Sequence, residues 1–89
     1  MTTSSLSDDQ LRQQIRVRLA QARLPVIDGI YKAHRGTGRP CLVCRRAIEP
    51  TEVECELDGA GVILIAHEAC YMLWREESVA RRADQRKEP

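Results

Sequence analysis

Four stretches of hydrophobic periodicity organise the chain. Leu11, Ile15, Leu19 and Ala22 recur at helical spacing, with Val17 off the stripe and Arg12, Arg16 and Arg23 on a neighbouring face. Ser7 with Gln10 fits a capping box, Asp8 and Asp9 suit the start of a helix, and Pro25 forbids its continuation. The pattern predicts a helix from about Asp8 to Arg23. Thr51 to Leu57 alternates strictly, with Glu52, Glu54 and Glu56 on one face and Val53, Cys55 and Leu57 on the other. That pattern predicts a strand buried on its apolar side, with its glutamates on a solvated face. Asp58-Gly-Ala-Gly61 reads as a turn, and Val62 to Ala66 as a second, more buried strand. From His67 to about Lys87 the spacing returns to helical, with Cys70, Leu73 and Trp74 on one side.

Between these stretches the reading is looser. Residues 1–6 are expected to form a flexible tail. Val26 to Tyr31 is short, apolar and interrupted by Asp28-Gly29, so strand, turn and irregular segment all fit. His34 to Pro40 reads as a loop from its Gly and Pro content. The first predicted strand is expected at a sheet edge, where its glutamates would discourage uncontrolled pairing.

Eighty-nine residues make one domain with a small core, and the absence of Phe leaves few large side chains to fill it. A bound metal is a common remedy at this size. The chain offers the ligands: Cys41-x2-Cys44, a gap of twenty-two residues, then His67-x2-Cys70. Each pair is spaced to grip one ion, and three thiolates with one imidazole form the closed tetrahedral set preferred by structural zinc. Cys70 falls in the first turn of the last helix, where the dipole favours a thiolate. Cys55 is a competing ligand that would replace His67 in a four-Cys site, although a core position suits it better. His34 stands seven residues before Cys41 in a basic loop and reads as a surface histidine.

The order of knuckle, hairpin and helix resembles a treble-clef zinc finger over about Pro40 to Glu77. The ligand spacing also resembles the first zinc module of a LIM domain, but the second module is missing. The chain is similar, too, to small bacterial zinc-binding proteins with a Gly-rich lead (Gly36, Gly38), a C-x-x-C knuckle (Cys41, Cys44) and a helix carrying His67, Cys70 and Trp74. These resemblances imply a metal site and no agreed activity.

The expected fold class is therefore α+β: a zinc-stapled, treble-clef-like unit over residues 40–89, preceded over 7–39 by a helix and a basic Gly-rich loop. Four protein ligands leave no open position for water or substrate, so no enzymatic activity and no small-molecule substrate are expected. A Cys41–Cys44 redox couple would want a βαβ setting that the pattern lacks.

Net charge is only +1, but residues 1–40 carry seven basic and three acidic groups against seven and ten in residues 41–89. Lys32, Arg35, Arg39, Arg45 and Arg46 lie in a stretch without an acid, which makes them candidate contacts for nucleic acid or another anion. Few aromatics are at hand for base stacking. The polar start and the lack of a long apolar run lead to an expectation of no membrane span and a cytoplasmic location. The reading favours an interaction or regulatory module working through protein contacts, with a partner protein or a second copy. A nucleic-acid-binding regulator using residues 31–47 is the alternative.

Overall fold

In the computed structural model, residues 7–27, 31–59 and 61–86 are described. The elements are α1 (Asp8–Ala20), β1 (Lys32–Arg35), β2 (Val53–Gly59), β3 (Val62–His67) and α2 (Glu68–Arg86). The strands form one antiparallel sheet in the order β1-β2-β3. This is an α+β arrangement, as the pattern predicts. The expected tail (residues 1–6), Asp28-Gly29 and Lys87 lie outside the described residues.

The start of α1 is set locally. The Ser7 hydroxyl accepts from the Gln10 amide, and the Gln10 side chain accepts from the Ser7 amide, which closes the capping box. The helix ends three residues earlier than Arg23. Ala22 takes a φ of +60°, and the Arg23 and Leu24 amides both turn back to the Arg18 carbonyl. Ile15 and Leu19 are buried, whereas Ala22, grouped with them by spacing, is exposed on that turn.

Helix α1 lies on α2, which in turn packs on β2 and β3. The core they share includes Ile15, Leu19, Leu24, Leu57, Ala66, Tyr71 and Trp74. Two polar contacts tie the segment after α1 to α2. The Trp74 indole donates to the Pro25 carbonyl at 2.9 Å, and the Ile27 amide donates to the Ser78 hydroxyl at 3.1 Å. Pro25 to Ile27 is thus a docking segment. Tyr31 follows with its ring 4.4 Å from that of Tyr71.

Four expectations are corrected by the sheet. The Thr51–Leu57 strand is central rather than an edge, because Lys32–Arg35 pairs along it in the register His34↔Glu54. His34 and Arg35, read as loop, belong to that edge strand, half of whose residues are charged. The second hairpin arm is less buried than its apolar run suggests, since Val62 and Ile63 are 58% and 56% exposed. The fourth correction concerns the glutamates. Glu54 is fully buried and Glu56 half-buried, while Val53 is exposed, so the central strand is covered on both faces at its middle.

What covers the glutamate face is a narrow ribbon made by residues 36–48. The Gly36 amide donates to Glu52, Gly38 to Ile48, Ile48 back to Arg39 and Cys41 to Arg46. Gly36 is buried where the two arms of this ribbon meet. A Cβ on it would stand 2.1 Å from the Glu49 carbonyl oxygen, so no other residue fits without moving backbone.

Candidate metal centre

The ribbon ends in a tight turn that presents the first pair of ligands. The Arg45 amide closes the turn on the Cys41 carbonyl at 2.9 Å, with Arg45 itself at φ +70°. The Leu42 amide donates to the Ile65 carbonyl at 2.9 Å and fastens this knuckle to β3. From the other side, Arg18 of α1 donates to the carbonyls of Leu42 and Val43 at 2.7 and 2.8 Å. The second pair comes from the junction of β3 and α2: His67 ends the strand and Cys70 sits in the first helical turn.

These elements bring Cys41, Cys44, His67 and Cys70 together, with one ligand atom of each within 4.8 Å of all the others. Cys41, His67 and Cys70 are buried and Cys44 is partly so. The Cys41 sulfur accepts from the amides of Val43, Cys44 and His67 at 3.4, 3.5 and 3.4 Å. The His67 Nδ1 faces the Cys44 sulfur at 3.3 Å, and Nε2 lies 3.2 Å from Glu52 Oε1. Glu52 is itself held by the Glu49 amide at 2.8 Å. A carboxylate on one ring nitrogen makes that nitrogen the N–H donor and leaves Nδ1 its lone pair, which is how metal-ligating histidines are oriented.

The electrostatics of the cluster are uneven. Hydrogen bonding from the Cys70 thiol, helped by the three amides, pulls the Cys41 thiol down to about 4 against the penalty of burial. The same contact with Cys41, together with burial, pushes the Cys70 thiol up. A divalent cation among the four would end this competition, because it stabilises every thiolate at once. The geometry and the donor set are compatible with a bound metal ion.

Cys55 takes no part in this cluster. It is fully buried in the sheet opposite Ala66, and burial raises its thiol to about 11, the behaviour of an inert core cysteine. His34 is drawn into a different group, being half-buried rather than a free surface side chain. Its Nε2 lies 3.0 Å from Glu56 Oε1 and its Nδ1 2.9 Å from the Arg35 carbonyl. Those two contacts, the backbone one foremost, raise its pKa. His34, Glu54 and Glu56 also lie close enough to hold a cation, but an arginine already occupies the place. Arg39 donates to Glu54 at 2.5 Å, and Thr37 donates to Glu54 through both its amide and its hydroxyl. Burial opposes the charge of Glu54, yet the bonds from Thr37 and Arg39 outweigh it and hold the carboxyl below its usual range.

The five basic candidates are therefore not one surface. Arg39 is committed to Glu54, Lys32 and Arg35 lie on the edge strand β1, and Arg45 and Arg46 are exposed at the knuckle. Two residues important to the centre escape a reading of the sequence. Glu52 looks like one member of a strand alternation, although it stands just before β2 in the turn that faces His67. Arg18 shares a helix with two other arginines, Arg12 and Arg16, and nothing in its spacing singles it out.

Comparison of the chain with protein-family models, with curated proteins and with solved structures gives no match. The candidate centre is thus defined by its own geometry.

Proposed function

We propose that Cys41, Cys44, His67 and Cys70 hold a structural zinc ion in a treble-clef-like arrangement, and that the domain is a non-enzymatic cytoplasmic module acting through protein contacts. The observation that carries this reading is the closed, mostly buried set of four convergent ligands, with its imidazole oriented by Glu52. Zinc favours tetrahedral thiolate–imidazole sites, whose ligand atoms stand about 3.5–3.8 Å apart at bond lengths of about 2.0–2.3 Å. The Cys44 sulfur to His67 nitrogen separation of 3.3 Å needs only a small adjustment to that figure. A catalytic zinc keeps a position for water or substrate, whereas four protein ligands fill the tetrahedron.

Protein contacts are favoured over nucleic acid by the fate of the basic segment. Arg39 is neutralised by Glu54, and the rest of the segment is divided between β1 and the knuckle rather than gathered into one phosphate-tracking face. Native mass spectrometry with metal analysis tests the zinc: one ion per chain is expected, lost together with structure in Cys44→Ser. A zinc-free protein that remains fully folded refutes the reading.

A further inference from the structure

Several arginines are already paired with carboxylates. Arg12 and Arg16 bind Glu76 and Glu77, and Arg39 binds Glu54. Arg23 and Arg45 have no carboxylate partner among the described residues, and the charges of both reach Arg18. With Arg18, Val17, Val43, Cys44 and the amides of Gln13, Gln14 and Gln21, they line a groove of about 460 Å³ between α1 and the knuckle. No carboxylate is among the described lining residues. Arg18 forms part of the wall because its guanidinium is pinned to the Leu42 and Val43 carbonyls. Burial foremost, and then the charges of Arg45 and Arg23, lower its pKa.

Two further details mark the groove. Arg45 holds φ +70°, a conformation that glycine adopts freely and that costs an L-residue about 1–2 kcal/mol. Strain of this kind concentrates where a side chain has a task. Val17, which falls outside the apolar stripe of α1, is 42% exposed and provides floor that the core does not use.

We propose that this groove receives an extended acidic segment of a partner protein. An aliphatic side chain would lie over Val17 and Val43, and flanking carboxylates would meet Arg23 and Arg45. The glutamine amides both donate and accept, as the backbone of an extended peptide requires. The proposal rests on the reading of the domain as a protein-contact module and names the chemistry of its partner. A nucleic acid fits less well. Its binding draws on many phosphate contacts, about 6–10 for a strongly salt-dependent protein, and on aromatic stacking for single strands. Here three cations converge, and no aromatic side chain is among the described lining residues.

The test uses the full zinc-loaded chain and a fluorescein-labelled peptide of alternating glutamate and valine, with anisotropy at low salt and amide shifts by NMR. Binding is expected to move the amides of Val17, Gln21 and Val43 to Arg45, and to weaken at least ~10-fold in the double variant Arg23→Ala, Arg45→Gly. Glycine at position 45 removes the guanidinium and keeps the backbone comfortable, so loss of binding is not loss of fold. Arg75→Ala, on an exposed part of α2, should bind as the parent does. No binding, or shifts confined to another surface, overturns the proposal. So does tighter binding of an oligothymidylate of equal charge through the same arginines, which would make the groove a nucleic-acid site. Metal content of the same samples tests the structural-zinc reading separately, so the two failures are told apart.

Discussion

At the scale of single residues, the positions that matter most are those where the backbone or the burial leaves no choice. Arg45 closes the knuckle in the left-handed region. Arg45→Gly should be neutral or stabilising by up to ~1 kcal/mol, and Arg45→Val should cost about 2 kcal/mol, because a β-branched residue resists that conformation. Equilibrium unfolding of the two variants at saturating zinc checks the order; equal stabilities would show that the turn carries no strain. Glu54 offers a pH test. Its pKa is depressed in the fold, so the stability it contributes is complete above the ordinary glutamate range and is lost as pH falls through its lowered folded value. Glu54→Gln should be less stable near neutrality, by about 2 kcal/mol, and should show a shallower loss in acid. Parallel stability–pH curves for the variant and the parent would contradict this. The burial of Glu54 was not legible in its alternation with Val53 and Cys55. Alternation tells which residues share a face, and here both faces are covered.

At the scale of elements, the strongest signals in the sequence were local ones and they identified most of the secondary structure. The Ser7–Gln10 box and the alternation of residues 51–57 each act within a few residues, and the corresponding helix start and strand are present, whereas the helix stops at Ala20, short of the end expected from Pro25. The sheet order was not legible. Whether residues 51–57 form an edge depends on β1, a four-residue strand whose side chains are Lys, Ala, His and Arg. It is recruited by pairing with β2 and not by any apolar pattern of its own. The α1–α2 contact was equally hidden. Arg12 and Arg16 read only as a face beside the apolar stripe, yet they converge on the buried carboxylate of Glu77 at 3.2 and 2.8 Å. Hydrogen bonding from Arg16, and then from Arg12, depresses the pKa of Glu77. Glu77→Ala should therefore lower stability by roughly 1–2 kcal/mol, whereas Glu76→Ala, at an exposed pair, should change it little. Thermal or denaturant unfolding decides; equal effects would mean that the Glu77 cluster is an ordinary surface pair.

At the scale of the whole molecule, the two ligand pairs announced the candidate metal centre because soft ligands at that spacing have few other uses in a small chain. The carboxylate that orients His67 and the arginine that holds the knuckle carbonyls were invisible, since both arrive from segments distant in sequence. Among the described residues, no helix is long and apolar enough to cross a membrane. If zinc staples the fold, a chelator should unfold it as a single unit, and more readily as pH falls, because the ligands must lose protons to bind. Circular dichroism during chelation at two pH values measures this; retention of the helical signal without metal would show that the apolar core suffices.

The pairing of α1 with α2 has a consequence for the order of folding. Arg12 and Arg16 find their partners sixty-one to sixty-five positions later. A thirteen-residue helix is marginal by itself, and apart from the bonds of Arg18 to the knuckle its ionic anchors arrive only with α2, near the end of the chain. The knuckle, hairpin and last helix can assemble around their ligands first, with the amino-terminal helix docking onto a finished surface. Hydrogen exchange should then find the amides of α1 opening more often than those of β2, and any event that loosens α1 would dismantle one wall of the arginine groove while leaving the metal centre closed.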